Sequence, residues 1–437
     1  MKRRFYIALG FIAMIVTGAV LLASPWARAD GTWGSLSDAA FTACSAVCVT
    51  GLSVVDIAAE YSFAGQIALI ALVEIGALGM MALGTFLLVA IGRRLSFASE
   101  FSLMNAYGVI EIRGVKGLLA WIVCSMLLIE AAGACVLYYR FQDWYVSIFY
   151  SVMSFCNAGF GLYPGSLARF ADDPFVLVVL AAETVLGGIG FLVIYNLCTF
   201  KFLRRKSGAK GRLSLHSAVV LRFSFYLLAA AFVVFAAAEW NWSLKGMDAA
   251  KKLWVSFYQA VTPRSCGFCV IPTEALRPST VQLYECLMFI GGAPGSVAAG
   301  VKVTTFAVIV HTIAAMCRGE TETTISKRVI SYDVVRESIV IVAALFLLGE
   351  AVYVLLILIE EGSGIPLGDL FFETVSAITT TGLSVGDTTS RLSAAGRAVI
   401  MAAMLCGRLG ALTVVMMIGA RESKRHLRYP SEEIVVG

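Results

Sequence analysis

The feature that most constrains the fold of this chain is a series of eight long apolar runs. Each is long enough to cross a lipid bilayer as a helix, which takes about 20 residues. Only 14% of the residues are charged, whereas a soluble domain carries about 25%. The sequence therefore predicts an all-α, multi-pass membrane protein with eight transmembrane helices. The runs cover 5–24, 63–92, 117–139, 174–200, 217–239, 280–316, 338–359 and 393–420.

A shorter apolar stretch lies between the two members of each successive pair of runs. Apolar segments of about 10–14 residues are typical of re-entrant or interfacial helices rather than of complete spans. We therefore predict four re-entrant helices, one for each pair of spans. The stretches cover 36–50, 145–158, 251–266 and 368–381.

Basic residues predict the orientation. Five clusters fall on one side of the membrane if there are eight spans, and they lie at 2–4, 93–94, 201–212, 318–328 and 421–428. By the positive-inside rule that side is cytoplasmic. We therefore expect a plasma-membrane protein with both termini in the cytoplasm. One alternative stays open at this stage. Residues 1–30 combine a basic start, an apolar stretch and a small-x-small site, which also fits a cleaved signal peptide.

The chain repeats one pattern four times. Residues 50–56 (TGLSVVD) and 381–387 (TGLSVGD) match at six of seven positions, and two further glycine loops lie between them. The reference glycines are separated by 108, 108 and 115 residues, and a phenylalanine stands ten residues before each. We predict four tandem units of span, short helix, glycine loop and span, at 1–110, 111–214, 215–332 and 333–437. The glycines are Gly51, Gly159, Gly267 and Gly382, and the phenylalanines are Phe41, Phe149, Phe257 and Phe372.

This arrangement suits the wall of one cation pore. Irregular backbone at membrane depth is tolerated where it lines a water-filled cavity or is buried in protein, and ion filters replace the hydration shell with backbone carbonyls. Four equivalent loops around a pseudo-four-fold axis would form a ring, and the negative ends of the short helices would favour cations. Asp56 and Asp387 would then lie at the outer mouth; equally, they are ordinary solvated loop acids.

The sixth run is interrupted by glycine and proline within 291–300. It cannot form a continuous regular helix, and a small irregular segment below a filter could act as a gate; the alternative is a kinked helix with a packing role. Arg408 lies in the middle of the last run, where a charge is costly and is a functional candidate by default. We expect it to bond carbonyls of 291–300 and to repel cations; the alternative is a structural pair with a glutamate.

Arg264 stands close to the third glycine and needs a partner, either a carboxylate or carbonyl groups. The sequence does not choose between them. The candidate carboxylates in or near spans are Glu74, Glu130, Glu183, Glu285 and Glu350.

The chain resembles a known family, the Trk/Ktr/HKT superfamily of K⁺ transporters, and most of all its KtrB-type membrane subunits. All four units carry the resemblance. The matching segments are SAVCVTGLSVVD (45–56), FCNAGFGLYP (155–164), VTPRSCGFCVIP (261–272), GGAPGSVAAGVKVTTF (291–306), ITTTGLSVGD (378–387) and CGRLGALTV (406–414).

The resemblance implies selective K⁺ uptake through a four-loop filter. It also implies a homodimer and a cytoplasmic nucleotide-binding ring of the KtrA or TrkA type, with K⁺ as the substrate and Na⁺ as an activator in the Ktr branch. The implied filter comprises Val49, Thr50, Gly51, Asn157, Ala158, Gly159, Ser265, Cys266, Gly267, Thr380, Thr381 and Gly382. The implied gate comprises Gly291, Gly292, Ala293, Pro294, Gly295, Gly300, Lys302 and Arg408.

The chain departs from the family pattern at several positions, where hydroxyl or small residues are usual. These are Cys48, Cys266, Ala293, Val297 and Ala298. They keep a second hypothesis open, a Na⁺-conducting or poorly selective pathway of the same fold. Same-direction repeats argue against an inverted-repeat transporter. The chain has no motif for an enzyme, a covalent cofactor or nucleic-acid binding, and its scattered cysteines suggest packing.

Overall fold

The computed structural model describes residues 2–92, 114–198 and 213–410. Nearly all of its regular secondary structure is helical, apart from a two-stranded hairpin, β1 (Thr324–Ile325) and β2 (Arg328–Val329). The helices are α1 (Lys2–Ala23), α2 (Leu36–Val47), α3 (Ile57–Glu60), α4 (Phe63–Gly92), α5 (Gly114–Phe141), α6 (Trp144–Phe155), α7 (Pro174–Ile189), α8 (Phe191–Cys198), α9 (Leu215–Glu239), α10 (Ala249–Val261), α11 (Pro278–Phe289), α12 (Val303–Cys317), α13 (Tyr332–Ile359), α14 (Leu367–Ile378), α15 (Thr388–Arg391) and α16 (Ala394–Leu409).

Polar residues outside the apolar runs mark where several helices begin. The side chain of Asp143 accepts hydrogen bonds from the first backbone N–H groups of α6, and Ser35 does the same for α2. Asp173 caps α7, whose first residue is Pro174. A short polar side chain at this position satisfies amide groups that the helix itself leaves unpaired. The caps therefore set the start of each helix.

The predicted span at 174–200 is not one continuous helix. The structure breaks it at Gly190, whose φ is 87°, and α7 and α8 meet at an angle of 98°. The run is apolar on both sides of the break, so its composition hides the bend. The interruption predicted in the sixth run is confirmed, because α11 ends at Phe289 and α12 begins at Val303.

In the described ranges, three helices are by themselves long and apolar enough to cross a membrane. They are Ala120–Phe141, Leu215–Glu239 and Tyr332–Ile359, and the bent pair α7–α8 would make a fourth. Shorter apolar helices include Ala8–Ala23, Phe63–Gly79 and Val303–Cys317. The count of eight spans thus stays a prediction. The basic clusters at 93–94, 201–212 and 421–428, and the last span beyond residue 410, lie outside the described residues.

The core forms around the four short helices α2, α6, α10 and α14. Each packs against a long helix of its own predicted unit, α1, α5, α9 and α16 respectively. Of the four repeated phenylalanines, Phe41, Phe149 and Phe372 are fully buried, and Phe257 is partly buried against the core. Leu22 of α1 is also fully buried. Since α1 contributes to the core, its packing favours a retained helix over the signal-peptide alternative.

Candidate functional site

A loop of shared conformation follows each short helix. In every case the residue two positions before the reference glycine has a positive φ, with 54° at Val49, 57° at Asn157, 68° at Ser265 and 48° at Thr380. Non-glycine residues rarely adopt this region, and for β-branched Val and Thr it is a true outlier. Such backbone persists only where the surroundings hold it, which is typical of functional sites.

The four loops meet in a closed ring. A Cβ placed on Gly51 would lie 2.2 Å from the carbonyl oxygen of Ala158, and one on Gly382 would lie 1.9 Å from that of Thr50. In the same way, Gly159 of the second loop lies against Cys266 and Gly267 of the third loop. Gly267 in turn lies against Thr381 and Gly382 of the fourth loop. Each loop therefore touches the next, and the fourth touches the first. Only glycine permits approaches this close.

Short hydrogen bonds hold the loops on their helices. The amide of Thr50 donates to the carbonyl of Ser45 at 2.8 Å, and the amide of Thr381 donates to that of Ser376 at the same distance. The hydroxyls of the two serines accept from the amides of Gly51 and Gly382, at 3.0 and 3.1 Å. Ser45 and Ser376 each lie six residues before their glycine. The first and fourth loops are therefore held by the same kind of hydrogen bond.

Polar atoms without a partner gather at the ring. Among the described residues, four loop side chains are buried and carry a hydroxyl or amide atom with no hydrogen bond, one in each loop. Buried polar groups are normally satisfied by protein or water. Their lack of a protein partner here fits a site that meets water or an ion. The side chains are Thr50, Asn157, Ser265 and Thr380.

The two unusual cysteines of the loops lie in the wall. The Cys266 thiol is 3.3 Å from the Thr184 hydroxyl and 3.8 Å from the Tyr258 hydroxyl. Cys48 is fully buried in an apolar cluster with Leu52 and Met404. Both side chains thus pack behind the loops, which fits the packing role predicted for the cysteines, although others such as Cys124 and Cys286 are exposed. All eleven cysteines of the chain are free.

The interrupted segment 290–302 packs against the bend between α7 and α8. The amide of Ala293 donates to the carbonyl of Gly188 at 2.9 Å, and the amide of Phe191 donates to that of Gly295 at 3.3 Å. The two ends of the segment are also joined, since the amide of Gly291 donates to the carbonyl of Val301 at 2.9 Å. The bend and the segment therefore satisfy each other's free backbone groups.

Two basic side chains hold this segment from within the protein. Arg408 is fully buried, and it donates to the carbonyl oxygen of Val297 at 2.6 Å and to that of Gly76 at 3.0 Å. Lys302 donates to the carbonyl oxygen of Ala298 at 2.5 Å. The expected contact between Arg408 and the 291–300 carbonyls is confirmed, and the described structure pairs it with no glutamate. The electrostatic barrier stays a prediction.

Arg264 joins the third loop to the same segment. Its guanidinium lies 3.3 Å from the carbonyl oxygen of Ser224 and 3.5 Å from that of Gly291. Its partners are thus carbonyl groups, and no ion pair to the candidate glutamates occurs in the described ranges. Of those acids, Glu74, Glu130 and Glu183 lie behind the second loop. Glu285 and Glu350 line a groove of about 390 Å³ beside α11–α14.

Sequence reasoning missed one acid that supports the fourth loop. Glu373 is fully buried in α14 and accepts hydrogen bonds from the hydroxyls of Ser384, at 2.8 Å, and Thr389. An acidic residue in the middle of a largely apolar short helix was the available signal. Asp56 and Asp387 are both exposed, and Asp56 caps α3 through the amide of Ala58 at 2.9 Å. Asp56 thus has a local structural role.

Comparison with known proteins places these features in context. A family described as TrkH, cation transport protein, matches residues 7–427. The chain is 34% identical to the Ktr system potassium uptake protein B of Bacillus subtilis, over 99% of this chain and 96% of that protein. It is 32% identical to the potassium/sodium uptake protein NtpJ of Enterococcus hirae, over 99% and 96%. The fold matches the potassium transporter TrkH from Vibrio parahaemolyticus with a TM-score of 0.76 at 16% identity, covering 95% and 84% of the two chains.

Proposed function

The chain belongs to the TrkH family of cation transport proteins, as its motifs predicted, and from this premise we propose that it is the membrane pore subunit of a K⁺ uptake system. The observation that carries the proposal is the ring of four loops, each with a left-handed residue two positions before its glycine. The relatives named above, which match over nearly the whole chain, are uptake proteins for potassium or for potassium and sodium.

The ring acts as the selectivity filter. The left-handed residue followed by glycine turns successive carbonyl oxygens toward the ring axis, where they replace the hydration shell of K⁺. The ring residues with unpaired side-chain atoms, such as Thr50 and Thr380, would share in this. The short helices α2, α6, α10 and α14 end at the ring, and the negative ends of their dipoles favour a cation there.

The segment 290–302 acts as the gate. It is irregular, it is anchored by Arg408, its own Lys302 bonds back to Ala298, and Arg264 links it directly to the third loop. Conduction requires it to move aside, which exchanges its bonds to the α7–α8 bend for others. The buried positive charge of Arg408 raises the barrier to cations while the segment is in place.

The architecture we propose is four tandem units of span, pore loop and span around one pseudo-four-fold pore, with eight spans in the plasma membrane and both termini in the cytoplasm. The functional protein is a homodimer, and a cytoplasmic nucleotide-binding ring regulates it. These assignments rest on the family resemblance and the basic clusters.

A poorly selective or Na⁺-conducting pathway is the second candidate. The name of NtpJ, a potassium/sodium uptake protein, favours keeping it. Against it stands the placement of the Cys48 and Cys266 side chains in the wall behind the loops, because these two departures from the family pattern then change no side chain in the ion path.

The test is cation flux into liposomes that hold only this purified chain, with K⁺, Na⁺ and a large organic cation compared in parallel. Strong K⁺ flux, weaker Na⁺ flux and exclusion of the organic cation are expected. Equal K⁺ and Na⁺ flux would favour the second candidate. If both the chain and its Arg408→Gln variant conduct neither ion, the pore assignment is wrong.

A further inference from the structure

A cluster of metal-ligating groups lies behind the second loop, outside the filter and the gate. Glu74 comes from α4, Glu130 from α5, and Cys156 directly follows α6. Each offers one ligand atom, and these atoms all lie within 4.8 Å of one another. The Cys156 thiol is 3.6 Å from Oε1 of Glu130, and both residues are buried. Glu74 is partly exposed, so an entering ion would meet its carboxylate first.

A third carboxylate, on α7, is connected to this cluster through Ser151. Glu183 is 4% exposed, and its Oε1 bonds the hydroxyl of Ser151, which also lies 2.8 Å from the carbonyl oxygen of Glu130. The other oxygen, Oε2, is buried and has no hydrogen-bond partner among the described residues. This unpaired buried oxygen, linked to Glu130 through Ser151, is a polar group that a bound cation would satisfy.

No basic side chain forms an ion pair with these groups in the described ranges. Arg408 reaches α4 at the carbonyl of Gly76, two residues beyond Glu74, but it forms no ion pair with the cluster. Buried carboxylates without a partner are costly unless they are protonated or bind a metal. A thiolate combined with carboxylates is a donor set that suits zinc and its softer congener cadmium, because sulfur selects soft cations while carboxylate oxygen also binds zinc.

We propose that Glu74, Glu130 and Cys156, with Glu183 as a fourth ligand, form a binding site for one divalent cation of the zinc and cadmium class. Binding displaces the thiol proton of Cys156 and any proton held by the carboxyls, so protons are released to solvent as the ion enters.

A bound ion would act on the second loop. Cys156 is the residue immediately before Asn157, whose left-handed backbone begins that loop. Coordination would tie the end of α6 to α4 and α5 at once, and would hold the loop in one position. We therefore expect the ion to reduce cation flux without entering the filter itself.

The direct test is titration of the purified full-length chain in detergent with Cd²⁺, followed by the ultraviolet thiolate-to-cadmium charge-transfer band and by proton release in weak buffer. One saturable component of the band should disappear in Cys156→Ser. Cys124→Ser is the matched control, since Cys124 lies exposed on α5 away from the cluster, and it should retain that component. Glu130→Gln should weaken it at least about tenfold, because even outer-shell changes at metal sites cost that much.

These readouts do not depend on transport, so they separate this proposal from the proposed function. Flux in liposomes supplies a second arm. Cd²⁺ should inhibit wild-type flux and leave the flux of Cys156→Ser unaffected. Equal Cd²⁺ titrations for the wild type, Cys156→Ser and Glu130→Gln, with all three folded by size-exclusion chromatography, would overturn the site. So would the absence of any charge-transfer band in the wild type.

Discussion

Arg408 and Val297 lie 111 residues apart in the chain, yet the Arg408 guanidinium donates to the Val297 carbonyl oxygen at 2.6 Å. This bond joins helix α16 to the middle of the irregular segment, and a second bond to Gly76 reaches α4. The side chain is fully buried and its hydrogen bonds go to carbonyl groups, so no acid within the described part of the chain pairs with its charge. The contact thus fixes the position of the segment and places a positive charge beside it.

Replacing Arg408 by glutamine should raise the resting K⁺ leak. The amide keeps part of the side-chain length but removes the charge and one of the two bonds, so both the repulsion and the anchor weaken. We expect an increase of about tenfold, which corresponds to a barrier lower by about 1.4 kcal/mol. The measurement is K⁺ efflux from liposomes that contain this chain without any regulatory partner.

Arg397→Gln is the matched control for this variant. Arg397 lies on the same helix and pairs with Asp38 at 2.8 Å near the surface, so the same change of side chain should leave the leak unaltered. An unchanged or smaller leak in Arg408→Gln would show that the buried charge is not a barrier.

Gly382→Ala should abolish selective flux. The added methyl group would meet the carbonyl oxygen of Thr50 at 1.9 Å, and the φ of Gly382 is 85°, so the first and fourth loops must separate. Gly368→Ala is the control, since a Cβ at Gly368 meets nothing within 4 Å. The test is the ratio of K⁺ to Na⁺ flux. A wild-type ratio in Gly382→Ala would mean that this contact does not shape the ion path.

Much of the outline could be predicted because the repeated loops leave a local signature. The glycine and the phenylalanine ten residues before it recur in sequence, and the glycine–proline interruption at 291–300 breaks any helix by itself. The left-handed residues such as Val49 and Thr380 could not be predicted, because their side chains favour extended backbone. Contacts around the ring impose that conformation.

The bend at Gly190 shows the limit of composition. The run 174–200 is predominantly apolar, with few polar residues such as Glu183 and Asn196, so its composition predicts a single helix. The free backbone groups at the bend are satisfied by the irregular segment 100 residues later, through pairs such as Ala293 and Gly188. The partners of Arg264 could not be predicted for the same reason. They are the carbonyl groups of Ser224 and Gly291, which only the tertiary fold brings close to it.

Glu373→Ala should destabilise the chain and loosen the fourth loop. The change leaves the hydroxyls of Ser384 and Thr389 without their acceptor, and a lost buried acceptor of this kind costs about 1–3 kcal/mol. We expect a lower melting temperature in detergent and a smaller K⁺ to Na⁺ flux ratio. Asp369→Ala, one turn earlier and partly exposed, should change neither. An unaltered melting temperature in Glu373→Ala would show that the brace is dispensable.

Ser376→Ala should lower selectivity while the chain stays folded. The Ser376 hydroxyl accepts a hydrogen bond from the amide of Gly382 at 3.1 Å. The substitution removes this bond, which contributes about 1 kcal/mol. Because Ser45 braces Gly51 in the same way and the two glycines touch, the double variant Ser45→Ala, Ser376→Ala should lose more selectivity than the two single changes combined. Residues in contact are expected to couple in this manner.

Ser390→Ala, at an exposed hydroxyl beyond the loop, is the control. Strictly additive losses, measured as K⁺ to Na⁺ flux ratios, would mean that the two loops respond independently and that the ring is not one mechanical unit.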